Sequence, residues 1–292
     1  MIQSVGMFTF SGTGNTEFVS GLLEARFEEV GLDVEARRME DVLRSGSRVD
    51  VESYDLIGFG HPIHGFGAPR IVYDFIDTLA PGQGLRAFVF KTAADFIAIN
   101  NGASVGAIRK LRRKGYEVFY DRIICMPSNW AVRYDDELAR QLCDTAVVKA
   151  SHMCGEILAG KERLPRTGPI AGAVVRLVGL GEDLGARLFG KELRASDACI
   201  DCDTCIDNCP TGNIHREDGR ITFGWDCVWC MRCIYDCPQQ AISPRFTKFC
   251  VLKDGYDIHS IIDDPTLKGS YVTEETQGYF KRFLRYVQQA GL

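Results

Sequence analysis

Cys199-Ile200-Asp201-Cys202-Asp203-Thr204-Cys205-Ile206-Asp207-Asn208-Cys209-Pro210 recurs in pattern 28 residues later as Cys227-Val228-Trp229-Cys230-Met231-Arg232-Cys233-Ile234-Tyr235-Asp236-Cys237-Pro238. Both runs are spaced C-x2-C-x2-C-x3-C-P, and together they hold eight of the twelve cysteines. With this spacing a tight loop aims three thiolates at one iron–sulfur cube while the fourth crosses to the other, and the proline stops the turn from continuing as helix. One [4Fe-4S] cluster is expected on Cys199, Cys202, Cys205 and Cys237, and a second on Cys227, Cys230, Cys233 and Cys209. Zinc suits the runs less well, because tetrahedral sites take cysteines in pairs and here a third follows at the same interval. A disulfide framework needs an oxidising compartment, whereas Met1-Ile2-Gln3-Ser4 opens with neither the basic nor the apolar region of an export signal.

Working outward, the repeat predicts a small pseudo-twofold domain. Ile200, Ile206, Ile214, Ile221, Phe223, Val228, Ile234 and Ile242 are its expected apolar shell, with Trp225, Trp229 and Tyr235 as shields beside the second run. So few side chains make a meagre core, so the apo form is expected to unfold there. From Lys191 to Pro244 five basic residues stand against nine acidic ones, which suits either a basic docking surface on a redox partner or plain solubility.

The whole chain has 292 residues, 46% hydrophobic and 25% charged, enough for two domains with a buried core. A net charge of -5 gives no footing for nucleic acid, and no stretch of about 18 apolar residues exists to span a bilayer. The expectation is a reducing, cytoplasmic setting in anaerobic metabolism.

The amino-terminal half begins with the apolar run Ser4 to Phe10, which breaks at Ser11-Gly12-Thr13-Gly14-Asn15-Thr16 before a helical stretch to about Val30. Such a loop suits phosphate: the glycines admit close backbone approach, the helix amino terminus faces the anion, and Ser11, Thr13 and Thr16 add hydroxyls. It lacks the lysine of a nucleotide-triphosphate loop, which points to a terminal phosphomonoester. Strands at Asp33 to Arg37, Tyr54 to Gly60, Arg86 to Thr92 and Glu117 to Cys125 alternate with helices near 69–80, 103–114 and 135–159, the pattern of a doubly wound parallel sheet.

These motifs resemble the flavodoxin family over residues 1 to about 160. Ser11-Gly12-Thr13-Gly14-Asn15-Thr16 matches its FMN phosphate loop, and Gly60-His61-Pro62-Ile63-His64-Gly65 with Pro69 resembles its first isoalloxazine loop. Lys91-Thr92-Ala93-Ala94-Asp95-Phe96 sits where the second belongs. The resemblance implies an α/β, five-stranded sheet of order 2-1-3-4-5 and FMN held by Ser11 to Thr16, Pro62, Ile63, His64, Gly65, Thr92, Ala93, Ala94 and Asp95. His61, His64, Phe66 and Phe96 are candidates to touch the ring.

The chain as a whole is similar to a family of flavodoxin-ferredoxin fusions, the EFR-type ferrodoxins; Met126-Pro127-Ser128-Asn129 and Asp254-Gly255-Tyr256-Asp257-Ile258 fit that family too. The expected organisation is an FMN-binding domain over 1–160, a linker with short helices over 161–190, a smaller α+β ferredoxin-like domain with two [4Fe-4S] clusters over 191–246, and a helical tail over 247–292. Leu164 to Pro169 reads as the linker, and Phe280 to Gln289 as an amphipathic helix with Phe280, Phe283, Leu284 and Val287 on one side. Cys125, Cys143, Cys154 and Cys250 lack ligand spacing and read as buried thiols.

Flavin handles one or two electrons and a cluster one, so an electron carrier serving partner redox enzymes is the expected function. The alternative is a flavoenzyme reducing a small substrate at the FMN face, with His61, His64 or Asp95 donating protons. A redox-responsive docking subunit is a third class.

Overall fold

A computed structural model describes residues 2–165 and 169–290. Its first half runs β1 (Ser4–Thr9), α1 (Asn15–Glu29), β2 (Asp33–Arg38), α2 (Met39–Ser45), β3 (Leu56–Pro62), α3 (Arg70–Thr78), β4 (Arg86–Ala93), α4 (Val105–Arg113), β5 (Glu117–Cys125) and α5 (Asp136–Leu158). The five strands are parallel in the order β2-β1-β3-β4-β5. Central strands such as β1 and β3 are buried along nearly their whole length, as a sheet covered on both faces requires. The edge strand β2 instead reads Asp-Val-Glu-Ala-Arg-Arg with its charges outward, which blunts an open edge.

Two apolar layers flank the sheet. Phe8, Phe10, Phe59 and Phe75 join residues of α2 to α4 on one face, and Val19, Leu23, Phe27, Ala146, Ala150 and Met153 of α1 and α5 cover the other. The Asp135 side chain accepts a hydrogen bond from Glu137 N at 2.9 Å and so starts α5. Within the sheet, buried Lys91 on β4 is paired with Asp121 on β5 and donates to Ser104 Oγ at 2.9 Å, so the charge does not stand alone in the core.

The remainder comprises α6 (Pro169–Glu192), β6 (Leu193–Ala195), α7 (Thr204–Asp207), β7 (Ile214–Glu217), β8 (Arg220–Phe223), α8 (Arg232–Tyr235), β9 (Ile242–Pro244), α9 (Ile258–Ile262) and α10 (Lys281–Gln288). The stretch expected to hold one or two short helices is the single helix α6, while Arg166 to Gly168 of the expected linker lie outside the described residues. Hairpin β7–β8 turns through Asp218 and Gly219, both at positive φ, the geometry that matches strand twist.

The repeat is written in the backbone. Asp201 and Asp203 in the first run, and Trp229 and Met231 at the equivalent places in the second, all have positive φ between 57° and 67°. Each run then enters its one-turn helix, α7 or α8. Phe189, Leu193, Ile214, Phe223, Ile234 and Ile242 form the apolar shell. Two shell expectations need correction. Ile200 is 58% exposed, and Val228 packs into the core of the α/β domain instead, because the second run is docked there and the first faces solvent. Trp225 is likewise exposed rather than a shield.

The tail returns to the α/β domain. Phe283 of α10 is fully buried against Cys125, Tyr134, Leu138 and Leu142.

Candidate redox site

The eight cysteines separate into two sets, each around its own cavity. Cys199, Cys202, Cys205 and Cys237 line one, with Ile221 and Ile242 beside them. Cys209, Cys227, Cys230 and Cys233 line the other, with Phe189, Leu193 and Phe223. Each set therefore takes its fourth cysteine from the opposite run. They surround space instead of converging on a point: among the described residues no three His, Cys, Asp or Glu side chains are grouped closely enough to hold a single metal ion.

Backbone amides point at the crossing sulfurs in the same way twice. Asn213 N donates to Cys209 Sγ at 3.2 Å and Ala241 N to Cys237 Sγ at 3.3 Å, four residues on in each case. Trp229 N donates to Cys227 Sγ at 3.4 Å and Thr204 Oγ1 to Cys202 Sγ at 3.3 Å. Such donors stabilise negative charge on cluster sulfur. Burial pushes the thiols of Cys205 and Cys227 up to about 11 and that of Cys230 to about 12, so thiolate there needs a compensating cation, which the iron of a cube would supply. These cavities fit a thiolate-ligated cube.

The two sets differ in surroundings. Cys202 is exposed, whereas Cys209 and Cys230 are buried. We call the Cys209 set the inner one, because Cys230 and Val228 pack with Phe10, Phe59 and Ala68 of the α/β domain. A methyl group on Gly12 would lie 2.6 Å from the Cys230 carbonyl oxygen, so this glycine is what lets the loop approach the second cysteine run. In the same run, a methyl on Gly190 of α6 would collide with Cys227 Cβ.

The loop Ser11 to Thr16 joins β1 to α1, where the first amides of a helix find no partner within it. The hydroxyl of Ser11 is buried without any hydrogen-bond partner. Asn129 donates to Thr13 Oγ1 at 2.6 Å, and Asn15 donates to the Pro127 carbonyl at 2.9 Å while accepting from Tyr256. Thr16 Oγ1 meets Thr92 Oγ1 at 2.7 Å, and Ile63 N donates to the Thr92 carbonyl at 2.8 Å. These bonds bring the phosphate-type loop and both expected ring loops to one rim, at the carboxyl ends of β1, β3 and β4. An orphaned hydroxyl at a helix amino terminus beside two glycines fits an anion such as a phosphomonoester.

Pro62 ends β3 and Ile63, His64 and Gly65 follow it, while Thr92, Ala93, Ala94 and Asp95 end or follow β4. His61 is buried, donates through Nδ1 to the Pro62 carbonyl at 2.9 Å, and leaves Nε2 unpartnered. His64 Nδ1 donates to the Val228 carbonyl at 3.1 Å. Burial lowers both imidazoles to about 4. They are thus neutral at pH 7, and His61 offers an acceptor at Nε2, contrary to the expectation of histidines that donate protons near their ordinary pKa. Asp95 is engaged by Arg282 and Tyr279 of the tail, and Phe96 stacks on Tyr286 with ring centroids 5.2 Å apart. Phe96 therefore belongs to the tail contact.

Several residues at this rim were not legible in advance. Glu182 of α6 lies 3.9 Å from His64 Nδ1, and burial raises its carboxyl to about 8, so it carries the proton that the histidines do not. Arg232 and Glu40 form a buried ion pair. The one sequence hint was that Arg232 is the only basic residue inside either cysteine run.

Residues 191–238 match the family described as the 4Fe-4S dicluster domain. Among solved structures, Megasphaera elsdenii flavodoxin is 26% identical with a TM-score of 0.33, over 41% of this chain and 84% of that one. Flavodoxin 2 of Bacillus cereus is 19% identical at a TM-score of 0.36, over 54% and 99%. General stress protein 14 of Treponema denticola, solved in complex with FMN, is 10% identical at 0.36, over 54% and 97%. No curated protein matches the chain. These structural overlaps are partial, and the fold assignment rests on the strand order. The chain joins a flavodoxin-like sheet of order 2-1-3-4-5 to a 4Fe-4S dicluster segment at residues 191–238.

Proposed function

We propose that the protein is an electron carrier in which FMN and two [4Fe-4S] clusters occupy one polypeptide and serve partner redox enzymes. The observation that carries this reading is the inner four-cysteine cavity, whose Cys230 backbone abuts the Ser11–Thr16 loop at Gly12. The functional units are residues 1–160, 191–246 and the tail 247–292, with the connecting helix α6 closing the inner cavity through Phe189.

Ser11, Thr13, Thr16 and the first amides of α1 hold the phosphate of FMN. Asn15 braces that loop, and Pro62 to Gly65 with Thr92 to Asp95 border the ring. FMN supplies exchange of one or two electrons, and the clusters single-electron exchange. The chain's own work is positional. Neutral His64 ties the first ring loop to Val228 within the second cysteine run, so the ring loop and the inner cluster keep a fixed relation. Tyr235 does the same for the last rim loop, donating to the Asn129 carbonyl at 2.9 Å.

The test is anaerobic purification with iron, sulfide and flavin quantified, then stepwise dithionite titration under visible and EPR spectroscopy. About eight irons and one FMN per chain are expected from two cubanes and one flavin. Four irons, zinc, or a dinucleotide flavin would overturn the assignment.

A further inference from the structure

Arg232 is nine-tenths buried yet carries a permanent charge, and its guanidinium is shared among three otherwise separate segments. Nε donates to the carbonyls of Ser11 at 3.2 Å and Gly12 at 3.1 Å. One terminal nitrogen donates to the Asn208 carbonyl at 3.3 Å, one residue before Cys209. The other reaches the Ser11 carbonyl and pairs with Glu40 of α2, itself buried. Arg232 also stands between Cys230 and Cys233 in the chain, so it adjoins three of the four inner cysteines either through sequence or through this bond.

We propose that Arg232 is a positioning residue that couples the Ser11–Thr16 loop to the inner four-cysteine site, one guanidinium setting both the anion affinity of the loop and the charge environment of the inner cluster. Two physical effects support it. Hydrogen bonds to the Ser11 and Gly12 carbonyls polarise the peptide units whose N–H groups belong to Gly12 and Thr13, which makes those amides better donors to an anion. A fixed cation beside Cys230 favours the more negative, reduced state of a cluster over its oxidised state. Glu40 keeps the guanidinium from being an unpaired buried charge and holds its orientation. The proposal rests on the electron-carrier reading through its flavin and cluster arms, and its hydrogen-exchange arm stands apart from that reading.

The experiment compares the iron-loaded full chain with Arg232→Met, Arg232→Lys and the double variant Arg232→Met/Glu40→Met. Three readouts are taken: amide hydrogen exchange, the EPR midpoint of each cluster, and FMN affinity by fluorescence quenching. Arg232→Met is expected to lower exchange protection at least tenfold in both 11–16 and 227–233 while leaving α5 unchanged. It should also move the midpoint of one cluster, and only one, to more negative values, and weaken FMN binding at least tenfold. Lys restores most of the midpoint, since the charge returns, but less of the exchange protection, since the fork does not. The double variant removes the unpaired carboxylate and so separates misfolding from lost coupling: it should keep wild-type α5 protection with both loops still loosened. The proposal is overturned if Arg232→Met loosens only one of the two loops, if both midpoints shift alike, or if neither moves. Should the wild-type chain take up no FMN, the electron-carrier reading fails, and the exchange and EPR results still decide the coupling.

Discussion

Replacing Gly12 by alanine tests the central contact with a single methyl group. Gly12 is not among the residues at positive φ, so alanine meets no backbone penalty there and the cost is purely steric. The added carbon would sit 2.6 Å from the Cys230 carbonyl oxygen, whereas ordinary contact begins at 3.4 Å, so the loop and the second cysteine run must part by about 0.8 Å, the difference of the two. The neighbour is the backbone of buried Cys230 and cannot swing aside as a side chain would. Overpacking of this kind costs roughly 1–3 kcal/mol. A change of that size lowers Tm by about 2–12 °C at ~2–4 °C per kcal/mol for a domain of this class. Gly21 is the control: it lies mid-helix in α1, is exposed, and has nothing within 4 Å of an added methyl. Alanine there should raise stability by about 0.5–1 kcal/mol through helix propensity alone. Anaerobic melts followed by far-UV circular dichroism and by cluster absorbance read both. If Gly12→Ala melts with the wild type while Gly21→Ala shows its gain, the reasoning about the docked second run is wrong.

Two further predictions rest on other parts of the molecule. Stability should peak near pH 6.5. The folded pKa of His61 and of His64 is lowered to about 4 from 6.5, so the unfolded chain binds two more protons between those limits; Glu182, raised to about 8 from 4.5, makes the folded chain bind one more between its own. The net slope is then a rise of about 1.4 kcal/mol per pH unit from 4.5 to 6.5 and an equal fall from 6.5 to 8. Glu182→Gln should abolish the fall, and urea unfolding at pH 6.5 and 8 would expose an error if the limb persists. Phe283→Ala removes a fully buried ring packed 5.4 Å from Phe96, at a cost of about 3–5 kcal/mol. Because α10 holds the tail on the α/β domain, limited proteolysis should cut within 263–290 far faster than in the wild type, with Asp95 losing its Arg282 and Tyr279 partners; an unchanged digest would contradict that packing.

The sequence could be read wherever local rules were sufficient. Loop Ser11 to Thr16 follows a strand and opens a helix, and both facts are encoded within twenty residues of it. The strand order followed from a resemblance, because periodicity gives alternation of strands and helices without their order in the sheet. Helix α2 escaped notice since its seven residues, Met39 to Ser45, are too few for a period to emerge, and it buries Glu40, a residue type that is mostly exposed. What local rules could not supply was the asymmetry of the repeat. Ile200 and Val228 occupy the same place in their runs, yet one is 58% exposed and the other 4%. Thr204 and Arg232 likewise correspond, and only the second lies against the phosphate-type loop. Docking of one half of a duplicated domain is a long-range event, and neither half records it.

That asymmetry gives two equal motifs unequal work. Asp201, Asp203, Trp229 and Met231 hold left-handed backbone without being glycine, at roughly 1–2 kcal/mol each by the usual steric estimate. The apolar shell of 191–246 is small, so ligation of an iron–sulfur cube by these runs would be the further interaction able to offset this strain. The strain is the same in both runs, as are the amide donors to the two crossing sulfurs; what differs is the medium. Around Cys202 water reaches the site, whereas Cys209 and Cys230 are sealed beneath α6 and the α/β domain. Cluster potential depends on solvent exposure and nearby charge, so two clusters bound at these four-cysteine sets would differ in potential even with identical ligands. A chain that duplicates one loop and buries one copy against a phosphate-type loop would thereby obtain an ordered pair of redox sites, and Arg232, found in one copy and absent from the other, is the residue proposed to add to their difference.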